Sequence, residues 1–90
     1  MKGENKKMKN YYIAFKGRPA DLETATTLLD VTAMLHFDSR PIHYHKKDTT
    51  VVVEFQFLLT EKFEAMYNMF VEKIKESEYR GCLPKMILPA

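Results

Sequence analysis

Cysteine is nearly absent: Cys82 stands alone among 90 residues. That excludes an internal disulfide, leaves no cysteine pair for a structural zinc site, and suits a reducing cytosol. No apolar run approaches the roughly 18–20 residues that cross a bilayer. The charged start, MKGENKKMK, leads into no apolar segment with a small-residue cleavage site. Internal repeats and low-complexity stretches are missing too. Basic charge is scarce where a nucleic-acid binder needs it. The formal charge is +2, but residues 1–9 hold Lys2, Lys6, Lys7 and Lys9 against Glu4, and the remaining 81 residues carry ten bases against eleven acids. Folded nucleic-acid binders concentrate base on the body, because phosphate neutralisation dominates their affinity. The lysine-rich start therefore reads first as a solvated segment, with loose attraction to polyanions as its functional alternative.

What is present describes one globular unit. The apolar share is 46% and the charged share 29%, which supports a packed core. A domain near this size buries roughly 60–65% of the surface its unfolded chain exposes, so it folds alone with little margin. We expect residues 1–9 to form a flexible basic tail and residues 10–90 a single α+β domain.

Tyr11-Tyr12-Ile13-Ala14-Phe15 is aromatic and β-favouring, stopped by Gly17 and Pro19, and predicts a strand. A helix is expected from Pro19, which suits a first helical turn, with Asp21 and Glu23 near the positive dipole end. Its inward stripe is Leu22, Ala25, Leu28, Leu29, Thr32 and Leu35, blurred by Val31 and Ala33, and it ends at His36 or Phe37. Its threonines weaken intrinsic propensity, so it depends on packing.

Ile42-His43-Tyr44-His45 alternates as a short strand, and Val51 to Phe57 is the strongest strand signal in the chain. A hairpin turning over Lys47-Asp48 sets His45 opposite Thr50, Tyr44 opposite Val51, His43 opposite Val52 and Ile42 opposite Val53. Opposed residues share a face. Ile42, Tyr44, Val51, Val53, Phe55 and Phe57 then form one face, and His43, His45, Val52, Glu54 and Gln56 the other. A one-residue slip would mix the two sets.

Thr60 is the expected N-cap of a second helix, with Glu61 and Glu64 in its first turn. Phe63, Met66, Tyr67, Phe70, Val71 and Ile74 mark its inward face, and it ends near Ser77. Leu83 to Leu88 predicts a last strand, at a sheet edge or starting after Pro84, which cannot donate to a ladder. Strand, helix, hairpin, helix, strand is the ferredoxin-like βαββαβ arrangement. It places two helices on one face of a four-stranded antiparallel sheet, with the fourth strand beside the first. Many unrelated activities use this architecture, so it names none.

His43-x-His45 with Glu54 on the neighbouring strand has residue types that suit zinc or proton transfer. No cysteine or third histidine completes a set, and His36 lies elsewhere, so no metal site and no cofactor are expected. RNA-recognition domains share this element order and stack bases on open-face aromatics. Here Phe55 and Phe57 fall on the opposite face, and Glu54 repels phosphate, so specific nucleic-acid binding is disfavoured. Lys16-Gly17-Arg18 precedes a helix N-terminus, where acylphosphatase-like enzymes use a longer glycine- and valine-containing loop that this chain lacks. Cys82 has no adjacent base to activate it, Ser39 has no activating context, and no catalytic residue is assigned.

The resulting expectation is a small non-enzymatic interaction or regulatory module in the cytoplasm. Its binding face is the open side of the sheet, formed by Tyr12, His43, His45, Val52, Glu54 and Gln56. Its partner is a protein or a second copy of itself, and no membrane is involved. Two other readings stand beside it. One is a dimeric small-molecule binder or enzyme with its pocket between two sheets and a histidine as base. The other is nonspecific nucleic-acid association through the N-terminal lysines.

Overall fold

A computed structural model describes residues 8–77 and 85–87. In chain order they form β1 (Lys9–Lys16), α1 (Pro19–Phe37), β2 (His43–Lys47), β3 (Thr50–Phe57), α2 (Thr60–Lys75) and β4 (Lys85–Ile87). The strands make one antiparallel sheet in the order β2-β3-β1-β4, and both helices cover one side of it. This is the expected ferredoxin-like α+β arrangement. β4 starts at Lys85, after Pro84 in the sequence, and lies at an edge beside β1, in keeping with the expectation. Leu83, Pro84 and Leu88, included in the expected strand, lie outside the described residues, as does Cys82.

Two strands supply the floor of the core. Tyr11, Ile13 and Phe15 of β1 and Val51, Val53, Phe55 and Phe57 of β3 alternate inward, as period-two patterning demands. α2 lays Phe63, Met66, Phe70 and Ile74 on them. Tyr11 stacks on Phe63 with centroids 4.5 Å apart, and Phe15 meets Phe70 edge-on at 5.5 Å. The fully buried Tyr11 phenol needs a polar partner and finds the Thr60 hydroxyl at 2.9 Å. Thr60 is thus the first helical residue, not the cap. Leu59 holds the cap position and makes no side-chain cap bond.

α1 turns a slightly different face inward than its stripe suggested. Leu22, Ala25, Leu29, Thr32 and Ala33 are buried, while Leu35 is 68% exposed. At 3.6 residues per turn, Leu35 stands about 200° round the helix from Ala33, so one of the two must point outward. The buried Thr32 hydroxyl is satisfied by the Leu28 carbonyl at 2.8 Å. The helix ends on Asp38 in the left-handed region (φ 48°), and the Ser39 amide donates back to the Ala33 carbonyl at 3.1 Å.

The hairpin register differs from expectation by two residues. His43 pairs with Glu54, Tyr44 with Val53, His45 with Val52 and Lys47 with Thr50, across a turn formed by Asp48 and Thr49. Asp48 takes φ 55° at the first turn position, which suits the twist of a tight two-residue hairpin. An even shift preserves the faces, so the division into two sets survives. β2 also begins one residue later than expected and runs on to Lys47. It lies at the sheet edge and all five of its residues are exposed. Tyr44 accordingly points to the helix side and is only partly covered. Its hydroxyl pKa is raised, first by partial burial and second by the Asp30 carboxylate of α1.

Candidate functional site

The side of the sheet away from the helices carries Asn10, Tyr12, Ala14 and Lys16 from β1, and Thr50, Val52, Glu54 and Gln56 from β3. Cross-strand pairing adds His43, His45 and Lys47 from β2 and Lys85 from β4. All six residues expected to form a binding face lie here. Tyr12 and Val52 are half-buried, and His43, His45 and Gln56 are exposed.

Glu54 is the centre of this surface. Pairing places it between Tyr12 on one side and His43 on the other. Its side chain is only 11% exposed because its own polar neighbours surround it. Oε2 accepts from Asn10 Nδ2 and from the Tyr12 hydroxyl at 3.3 Å. Oε1 faces His45 Nε2 at 3.3 Å. Gln56 Nε2 donates to Asn10 Oδ1 at 3.1 Å, extending the network along the sheet. These contacts favour the ionised carboxylate and hold its pKa below the ordinary range. The His45 hydrogen bond is the largest cause, partial burial opposes it, and Asn10 and Tyr12 add to the lowering.

The two imidazoles sit on the same side of β2 with ring centroids 4.7 Å apart and nearly parallel planes. His43, His45 and Glu54 each bring one ligand-type atom within 4.8 Å of the others. The two-residue register difference creates this cluster. With His43 opposite Val52, as the sequence suggested, Glu54 would stand beyond the end of the histidine pair.

Charge along the face is graded. Lys16 and Lys47 flank Thr50 at the hairpin end, with Lys85 beside Ala14. Glu54 lies midway, and Asn10 and Gln56 occupy the other end. Asn10 escaped the sequence reading, although it has the same parity as Tyr12 two residues later. Tyr12 is the lone tyrosine or phenylalanine on this face among the described residues, because Phe55 and Phe57 lie beneath the helices. Base stacking on a pair of open-face aromatics has no platform here.

Apolar surface is exposed elsewhere as well. Val31, Met34 and Leu35 point outward from α1, and an open cleft of about 360 Å³ is lined by Met8, Phe37, Phe57, Leu58 and Leu59. Leu58 and Leu59 fall between β3 and α2 and belong to the apolar pattern of neither. Among the described residues no helix is long and apolar enough to cross a membrane.

Comparison with known proteins adds little. No family model and no curated protein matches the chain. Among solved structures it is similar to the peptidoglycan binding domain of the B. subtilis cell wall lytic enzyme CwlC, with 19% identity over the full length of both chains and a TM-score of 0.36. A likeness that distant carries no weight for what this face binds.

Proposed function

We propose that the protein is a non-catalytic interaction module of the cytoplasm whose open sheet face docks a second copy of the chain. The observation that carries this reading is the state of Glu54. The most buried charge on the uncovered side of the sheet is already hydrogen-bonded by Asn10, Tyr12 and His45. A charge with its acceptors engaged costs far less to cover than a bare one. Half-buried Tyr12, Ala14 and Val52 supply contact area beside it.

The charge gradient favours self-association over a strongly charged partner. A two-fold axis lying between two such faces and perpendicular to the strands sets the lysine end of one copy over the uncharged Asn10 and Gln56 end of the other, with Glu54 midway. Edge-to-edge pairing through β2 is opposed by Lys46 and Lys47, since lysines on an edge strand discourage continuation of the sheet. The single cysteine agrees with a reducing compartment.

Light scattering at about 50 µM protein tests the reading, a concentration at which a dimer with a dissociation constant of about 10 µM is mostly associated. The expected mass is twice the 10.6 kDa of one chain. Ala14→Arg puts bulk in the middle of the face without entering the core and should return the mass to that of one chain. A monomeric wild type, or a dimer indifferent to Ala14→Arg, removes the open face as the self-docking surface.

A further inference from the structure

We infer that His43, His45 and Glu54 form a binding site for a divalent transition-metal ion, with zinc as the representative case. Side chains two apart on a strand point the same way, so His43 and His45 present both imidazoles on one side of β2. The directly opposed residue on β3 is Glu54. Two imidazoles and a carboxylate form a donor set that binds zinc with an open fourth position. Imidazole donors favour zinc, nickel and copper over magnesium and calcium.

The distances fit. Zinc–nitrogen and zinc–oxygen bonds near 2.0–2.2 Å at tetrahedral angles put two donor atoms about 3.4 Å apart. His45 Nε2 and Glu54 Oε1 stand 3.3 Å apart. The three ligand atoms lie within 4.8 Å of one another. The remaining contraction, of about 1.4 Å for that tetrahedral spacing, is within reach of a χ rotation of exposed His43.

The carboxylate is also oriented for the role. Asn10 and Tyr12 both hold Oε2, which turns Oε1 toward the imidazoles. Partners that fix a ligand's orientation in this way are what metal sites use to keep affinity high. The site lies at the surface, with no ligand from a second chain. At least one coordination position is left to water or to a bound group.

The site shares the open sheet face with the proposed self-association, but every ligand comes from one chain, so the two are separable by experiment. Isothermal titration of the metal-stripped full chain with zinc should show one site per chain with a dissociation constant on the order of 1–10 µM, modest because only three ligands converge at an exposed position. His43→Ala and His45→Ala should each weaken binding at least tenfold, and Glu54→Gln by a similar factor. Cys82→Ser and His36→Ala should leave it unchanged, which separates this site from a thiol or the lone helix-end histidine. Ala14→Arg should also bind zinc normally, so loss of the dimer and loss of the metal site are read independently. Magnesium should give no heat. The inference is overturned by tenfold tighter or equal binding in His43→Ala/His45→Ala, by loss of binding in Cys82→Ser, or by absence of zinc binding at 100-µM-order concentrations to a folded wild type.

Discussion

Phe55 and Gln56 are adjacent in β3, yet they should respond to truncation as if they belonged to different proteins. Phe55 is fully buried, paired across the sheet with Tyr11 and 6.1 Å from the Phe57 ring. Removing its ring leaves a cavity between the sheet and the helices, and Phe55→Ala should cost about 3–5 kcal/mol. Gln56 is exposed and makes one hydrogen bond, to Asn10. Gln56→Ala should change stability by no more than about 0.5–1 kcal/mol. A domain of this length has a total stability of about 5–14 kcal/mol. The first substitution thus removes a large fraction of it and lowers the thermal midpoint by about 12–40 °C, at about 4–8 °C per kcal/mol. Guanidinium denaturation of both variants and the wild type measures the difference, with equal slopes confirming a common unfolding reaction. Equal costs at the two positions, or a larger cost at Gln56, would refute the assignment of faces on which both functional readings rest.

Further outcomes concern charge, turn and tail. The Glu54 carboxyl titrates below its ordinary value of 4.5 in the folded chain, so its contribution is present above that value and lost as pH falls through the lower folded value. Urea midpoints of Glu54→Gln should therefore fall less steeply than those of wild type below pH 4.5, and an unchanged acid limb contradicts the network around Glu54. At Asp48, whose φ is 55°, Val should destabilise by about 1–2 kcal/mol and Gly should be neutral or stabilising, both read by chemical denaturation. The expected tail spans residues 1–9, but Lys9 opens β1, so the deletion that spares the fold is residues 1–7. If the N-terminal lysines attract polyanions, it should abolish salt-sensitive retention on heparin. Retention by the shortened chain would move that contact onto the folded body.

The faces of the sheet were legible because strand periodicity is two and the core residues of β3 are strongly apolar. Thus Val51, Val53, Phe55 and Phe57 could be assigned inward without knowing the pairing partner. The register was harder to read. Lys46 and Lys47 look like loop residues, but an edge strand with every side chain exposed places no demand on hydrophobicity, so β2 extends through them. That extension moves His43 opposite Glu54 and assembles a cluster that the sequence left incomplete. On α1, apolar residues surround most of the helix, and composition alone could not choose between Ala33 and Leu35. Tertiary packing made that choice. Thr60 had the right chemistry for a cap, but the buried Tyr11 phenol claimed its hydroxyl.

The most direct test of the docking face is an isotope-filtered NOE experiment on a mixture of labelled and unlabelled protein. Cross-peaks between copies should reach the Val52 methyls, the Tyr12 ring and the Ala14 methyl. Contacts confined to Met34 and Leu35 of α1, or no contacts between copies at a concentration where the protein is dimeric by mass, would contradict it.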